Sequence, residues 1–206
     1  MKLYLSSYRM GDKVDKLKEL IGDENKAAFI PNACDGMDPE EVKHLIDRDL
    51  EDLRQAGLEP TVLDLKDYFG KCDALKHELH KYFVIWVRGG NTFVLRQAMK
   101  LSGMDTILES MWVARVNKVY GGYSAGVCVL SHSLKGIRLA DDPNVKPYGE
   151  EHETIWEGLE ILPYYIVPHY RSDHFESPLA EKVVQYYIDH KMLFKALHDG
   201  EVVIIK

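Results

Sequence analysis

Residues 82–87 (YFVIWV) constrain this chain more than any other stretch: they are apolar at every position. A strand with one face in water alternates apolar and polar residues, whereas an unbroken apolar run suits a strand covered on both faces. Such strands belong to parallel sheets with a layer of helices on each side. The run ends at Arg88-Gly89-Gly90-Asn91, and a helical pattern begins at Thr92. The chain therefore leaves a buried strand through a glycine turn and enters a helix.

The same rhythm runs along the whole sequence. Strands are predicted at 3–6, 27–30, 61–65, 116–120 and 164–167, with a helical stretch over 12–21. The plainest helix opens at Asp38, an N-cap candidate followed by Pro39 at the first helical position and Glu41 as the partner in a capping box. Val42, Leu45, Ile46, Leu50 and Leu53 give it one apolar face, and Gly57 closes it. Residues 135–158 are charged and rich in turn formers, and read as a long loop or small hairpin. Ser177-Pro178 caps a helix to about 190. Residues 193–197 and 202–205 read as a terminal hairpin turning at Asp199-Gly200. The β-α alternation over 206 residues predicts one α/β domain, a mostly parallel sheet with helices on both faces, of flavodoxin-like or class I glutamine amidotransferase-like kind. Ligands of such sheets bind beyond the carboxyl ends of the strands.

A formal net charge of -7 argues against a general nucleic-acid partner, because phosphate contacts need clustered Lys and Arg. No stretch approaches the roughly 18 apolar residues of a membrane span. The N-terminal apolar stretch is too short and interrupted for a signal peptide. Cys34, Cys72 and Cys128 are odd in number and lack metal-ligand spacing, which suits a reduced, cytoplasmic setting.

Gly122-Tyr123-Ser124-Ala125-Gly126 matches G-x-S-x-G between a predicted strand and an apolar helix. A serine at such a turn has a strained backbone, its flanking positions admit only small residues, and its hydroxyl points outward. The N–H of the next residue and the positive end of the helix face the place where an oxyanion develops. Gly89-Gly90-Asn91 is a second strand-to-helix glycine turn. It offers further N–H donors, and Asn91 can cap the following helix or face the substrate. A serine needs a base. Among nine histidines, His169 stands apart, directly after a predicted strand and Pro168. His77 with His80, and Glu150-Glu151-His152-Glu153, match no metal motif, and no metal or other cofactor is expected. The orienting acid stays open between Asp199, in the terminal turn, and Asp141 or its neighbour Asp142, in the long loop. Asp199 is favoured because packed structure beside the His169 strand can hold it. A cysteine mechanism through Cys128 is disfavoured by its place inside the elbow helix.

Gly89-Gly90-Asn91-Thr92-Phe93, Gly122-Tyr123-Ser124-Ala125-Gly126 and Pro168-His169-Tyr170, in that order, resemble the signature set of the peptidase E family, the aspartyl dipeptidases related to cyanophycinases. The resemblance implies a fold similar to class I glutamine amidotransferases with serine in place of cysteine. It implies cleavage of dipeptides with an N-terminal aspartate, without a cofactor. It places Ser124 as nucleophile, His169 as base, and Gly90 and Ala125 as oxyanion donors. The acid falls at Asp141 or, near the C-terminus, at Asp199. A substrate carboxylate needs a local cation, for which Arg171, two residues after His169, is preferred and Arg88 is the alternative. The expected partner is a small peptide, and the chain is expected to be a monomer or homodimer. Two other readings stay open: the same serine machinery on another small peptide or ester, or a binding or sensing module without turnover.

Overall fold

The computed structural model describes residues 1–206. Six strands form the main sheet: β1 (Lys2–Ser6), β2 (Lys26–Ile30), β3 (Glu59–Val62), β4 (Val84–Val87), β5 (Val119–Tyr123) and β8 (Val202–Ile205), in the order β3-β2-β4-β5-β1-β8. All neighbours run parallel except β8, which pairs antiparallel with β1. Two further strands, β6 (Tyr165–Val167) and β7 (Phe194–Ala196), form a separate parallel pair.

The helices are α1 (Val14–Ile21), α2 (Pro39–Gln55), α3 (Cys72–Leu79), α4 (Thr92–Ser102), α5 (Met104–Val113), α6 (Ala125–Cys128) and α7 (Ser177–Asp189). Alternating residues of the strands feed two cores. Tyr4, Phe29, Trp86 and Tyr123 meet Leu17, Leu20, Leu50 and Leu53 of α1 and α2. Leu5, Ile30, Ile85 and Val87 meet Leu75, Leu95, Met99 and Leu108 of α3, α4 and α5. Residues 84–87 are buried throughout, as their lack of alternation requires. A third apolar cluster joins α7 to β6 and to Cys128.

Local signals explain most element ends. The Asp38 carboxylate accepts the N–H groups of Glu40 and Glu41, and Pro39 occupies the first turn of α2. Asn91 caps α4 by accepting from Phe93 N and Val94 N.

Four expectations are corrected. The third strand is Glu59–Val62, after which Leu63 and Leu65 are buried outside the strand and the chain makes a 3-10 turn over Leu65–Tyr68. The fifth strand runs on through Gly121 and Gly122 to Tyr123, because these glycines fit close against β4: a Cβ on Gly121 falls 2.4 Å from the Trp86 ring. Ser177 is the first residue of α7 rather than its cap, and its hydroxyl accepts from Ser172 N at 3.1 Å. The two terminal strands do not form a hairpin. After the Asp199-Gly200 turn they part, β7 lying beside β6 and β8 completing the open edge at β1.

Candidate active site

The carboxyl ends of β1, β4 and β5 lie on one edge of the sheet, and the segments that follow them line a cleft. Its lining includes Tyr8, Arg48, Arg88, Gly90, Ser124 and His169. Ser124 follows β5 directly and has φ 49° and ψ -115°, a left-handed conformation that a non-glycine residue adopts only when its surroundings impose it. The imposition is visible in the flanking glycines. A Cβ on Gly122 falls 2.4 Å, and one on Gly126 2.3 Å, from the Val87 carbonyl oxygen. Only hydrogen at these positions lets β5 and α6 close over β4 with Ser124 at the tip.

The second glycine turn abuts the first. A Cβ on Gly89 falls 2.8 Å from the Ser124 Cβ, and Gly90 has φ 141° with the Ala33 carbonyl packed against it. Asn91 N donates to that carbonyl at 2.8 Å, which pins the turn. Gly90 lines the cleft beside Ser124. Ala125, the first residue of α6, has an N–H with no intrahelical partner. Two backbone donors on either side of a serine can stabilise a developing oxyanion.

His169 follows β6 and is buried, also with positive φ (60°). Its Nδ1 lies 2.8 Å from Asp199 Oδ1. Ser7, just past β1, ties the pair together. Its hydroxyl lies 2.7 Å from Asp199 Oδ1 and accepts the His169 N–H at 2.8 Å. The Ser172 hydroxyl accepts from Asp199 N. Burial pushes the Asp199 carboxyl up, but the hydrogen bonds from His169 and Ser7 outweigh it and hold the group below its ordinary value. An anionic Asp199 on Nδ1 fixes the tautomer that leaves Nε2 free to take a proton. Nε2 faces the cleft, 3.5 Å from Glu176 Oε2. Glu176 itself titrates high, because burial outweighs the attraction of His169.

Asp141 also lines the cleft, but its Oδ2 accepts the Thr92 N–H at 2.8 Å, at the start of α4. Burial raises its pKa to about 6, against the pull of the Thr92 hydrogen bonds. This has a stability consequence. The folded protein takes up the proton near pH 6 and the unfolded chain near 3.8, so the native state holds more protons in between. Stability therefore falls as pH rises through that window. Asp141→Asn is expected to flatten this dependence by roughly 1–3 kcal/mol, read from urea unfolding of both proteins at pH 4 and pH 7. An unchanged pH dependence in the variant would show that Asp141 titrates normally.

The structure brings Ser124, His169, Gly90, Asp141, Asp142, Arg88 and Asn91 to one cleft. Asp199 stands behind His169, and Asn91 is occupied, its Oδ1 capping α4 and its Nδ2 donating to the Asp142 carbonyl. Arg171 is corrected: it does not line the cleft. Its side chain is 72% exposed, lies over the Tyr170 ring and approaches Glu181 at 3.7 Å. Cys128 is buried, its thiol directed at the Ile166 carbonyl and pushed well above its ordinary pKa by burial. It has no character of a nucleophile.

The cleft's cations are Arg88 and a residue that sequence reasoning passed over, Arg48. Arg88 Nε donates to Asp49 Oδ2 at 2.9 Å and Arg48 Nη2 to Asp49 Oδ1 at 2.8 Å. Tyr123 donates its hydroxyl to Asp49 and Arg88 donates to Cys34 Sγ. Two guanidiniums thus share one buried carboxylate, leaving one positive charge uncompensated within this group. Ser7, His174 and Glu176 were also passed over. The only sequence signal for Ser7 was its place just past the first strand.

Residues 5–206 match the profile of Peptidase family S51. An uncharacterized peptidase of Listeria innocua (Lin0382) is 30% identical over 159 residues, covering 77% of this chain and 70% of its own. One from Pasteurella multocida (PM1590) is 28% identical over 188 residues, covering 90% and 84%. Among solved structures, a candidate peptidase E protein from Listeria monocytogenes EGD-e superposes with a TM-score of 0.75 at 22% identity, over 100% of this chain and 98% of that one. A peptidase from an acI-B1 Actinobacterium gives a TM-score of 0.70 at 16% identity, over 100% and 83%. No helix is long and apolar enough to cross a membrane.

Proposed function

The chain belongs to peptidase family S51, and on that premise we propose that this serine-type peptidase hydrolyses dipeptides with an N-terminal aspartate, through Ser124, His169 and Asp199. The observation that carries the triad is the 2.8 Å approach of His169 Nδ1 to Asp199, in a cleft whose wall is the strained Ser124 turn.

His169 Nε2 removes the Ser124 proton as Oγ attacks the carbonyl of the substrate's first residue. Gly90 and Ala125 N–H groups hold the resulting oxyanion. His169 then gives the proton to the leaving amine, and the acyl-enzyme is opened by water that His169 deprotonates in turn. Asp199 holds the ring and balances the imidazolium. The elbow arrives strained in the folded chain, so the serine is oriented before substrate binds.

The substrate's aspartate carboxylate loses hydration on entering the cleft and needs a cation there. With Arg171 turned away, that cation is the guanidinium pair around Asp49. Arg48 is the more accessible member, its side chain 28% exposed against 5% for Arg88. A charge-assisted hydrogen bond contributes about 1.5–3 kcal/mol. Arg48→Met is therefore expected to raise KM for Asp-Leu by roughly 10- to 100-fold, with a far smaller change for Asn-Leu. Arg171→Met should leave that preference unchanged. Steady-state kinetics on the two dipeptides decide it, and an unchanged Asp-to-Asn preference in Arg48→Met would exclude Arg48 as the anchor. Hydrolysis of a panel of dipeptides by the wild type tests the substrate class itself. Cleavage of uncharged dipeptides at the rate of Asp-Leu would reject it.

A further inference from the structure

The cleft gathers three metal-type donors, of which only His169 takes part in turnover. His169, His174 and Glu176 place one ligand atom each within 4.8 Å of one another. Glu176 Oε2 and His169 Nε2 are 3.5 Å apart. Two ligands about 2.1 Å from a tetrahedral zinc ion lie about 3.4 Å from each other, so this edge is already close to the required span. The His174 ring is stacked on His169, centroids 3.8 Å apart and planes within 9°, with Tyr8 edge-on to both. His174 Nδ1 accepts only a long bond, 3.2 Å, from Glu176 N. The in-plane lone pairs of rings within 9° of parallel do not converge on one point, so coordination requires His174 to give up that bond and tilt out of the stack.

The surroundings of His169 have the form of a metal ligand's support. A ligating histidine gives its other N–H to a carboxylate, which fixes the tautomer and raises the basicity of the free nitrogen. Asp199 on Nδ1 does this. Two imidazoles and one carboxylate, with the cleft open on the fourth side, are a donor set suited to Zn²⁺. The three residues follow the spacing H-x4-H-x-E on the loop between β6 and α7, which matches no familiar metal motif.

We propose that this cleft binds Zn²⁺ through His169, His174 and Glu176, and that the bound ion inhibits the peptidase by occupying the nitrogen that must accept the Ser124 proton. The inhibitory half rests on the reading of His169 as base, whereas the binding half does not.

The test has two arms. Zn²⁺ is titrated calorimetrically into Ser124→Ala, in which no turnover intrudes, and into the same background carrying His174→Ala or Glu176→Gln, with circular dichroism to verify folding. One ion per chain is expected, with affinity falling at least about tenfold in each added variant. Co²⁺ absorption in the same proteins reports whether the ligands form a tetrahedral site. In the second arm Zn²⁺ is titrated against dipeptide turnover by the wild type and by His174→Ala. Inhibition is expected to be relieved by EDTA and to need at least about tenfold more Zn²⁺ in His174→Ala. Equal Zn²⁺ affinity in all three proteins, or equal inhibition of wild type and His174→Ala, would overturn the site. Tight binding that leaves turnover intact would overturn the inhibition and, separately, remove His169 from the role of base.

Discussion

Ser124→Ala is expected to keep the fold and lose turnover by roughly a factor of 10⁶, since a serine and histidine that act as a unit lose nearly everything when either is removed. The residual rate would come from the oxyanion donors and substrate binding alone. Folding should survive because the turn is set by neighbours rather than by the hydroxyl: Gly122 and Gly126 press on the Val87 carbonyl and Gly89 on the Ser124 Cβ. The Ser124 side chain is not among the groups hydrogen-bonded to the rest of the chain, so its removal leaves no buried partner unpaired. Dipeptide hydrolysis and thermal unfolding, measured on the same preparation, separate the two effects. Turnover within tenfold of wild type would remove Ser124 from the chemistry.

Asp199→Asn should lower kcat by about 10⁴ with little change in KM, because an amide in that position favours the wrong tautomer of the imidazole. Asp141→Asn should cost less than about tenfold, because Asp141 is occupied with the Thr92 N–H at the start of α4 and an amide oxygen can accept the same bond. The comparison is informative because both carboxylates stand in or behind one cleft and differ in what they touch. Equal small losses would leave a Ser-His dyad, and a larger loss at Asp141 would reverse the assignment. Ser7→Ala is a useful companion. It deletes a hydroxyl that touches both Asp199 Oδ1 and His169 N, and so acts on kcat only through the orientation of the pair.

Much of this architecture was legible in the residues, and the reason is local. Residues 84–87 announced a strand buried on both faces, and the glycines around Ser124 announced a turn too tight for side chains. Asp38-Pro39 announced a helix start. In each case a short segment carries its own physical signature. The failures share a different cause. Asp199-Gly200 has the form of a hairpin turn, yet which strand β7 or β8 pairs with depends on the open edges at β6 and β1, about thirty and about two hundred residues away. Arg171 stands two residues from His169 in sequence. Its backbone φ of 53° follows the positive φ of His169, and the side chain turns out toward Glu181. Proximity in sequence says little about direction at such a bend. Arg48 and Asp49 lie on α2, where a charged pair reads as a solvated face, yet Asp49 is 3% exposed beneath Arg88 and Tyr123. His174 and Glu176 gain their meaning only because the loop folds back over His169. The Asp199 expectation points to the residue that meets His169 Nδ1. The packed strand beside β6 expected to hold it is present as β7, although β7 and β8 do not pair as a hairpin.

The most direct test of an activated serine is its reaction with a fluorophosphonate, which needs neither the natural substrate nor a choice of acid. Intact-mass spectrometry should show a single phosphonyl adduct forming within minutes at neutral pH. Peptide mapping should place that adduct on Ser124, and it should be absent from Ser124→Ala and strongly slowed in His169→Ala. A wild-type protein that stays unmodified, or carries the adduct on another residue, would contradict the account.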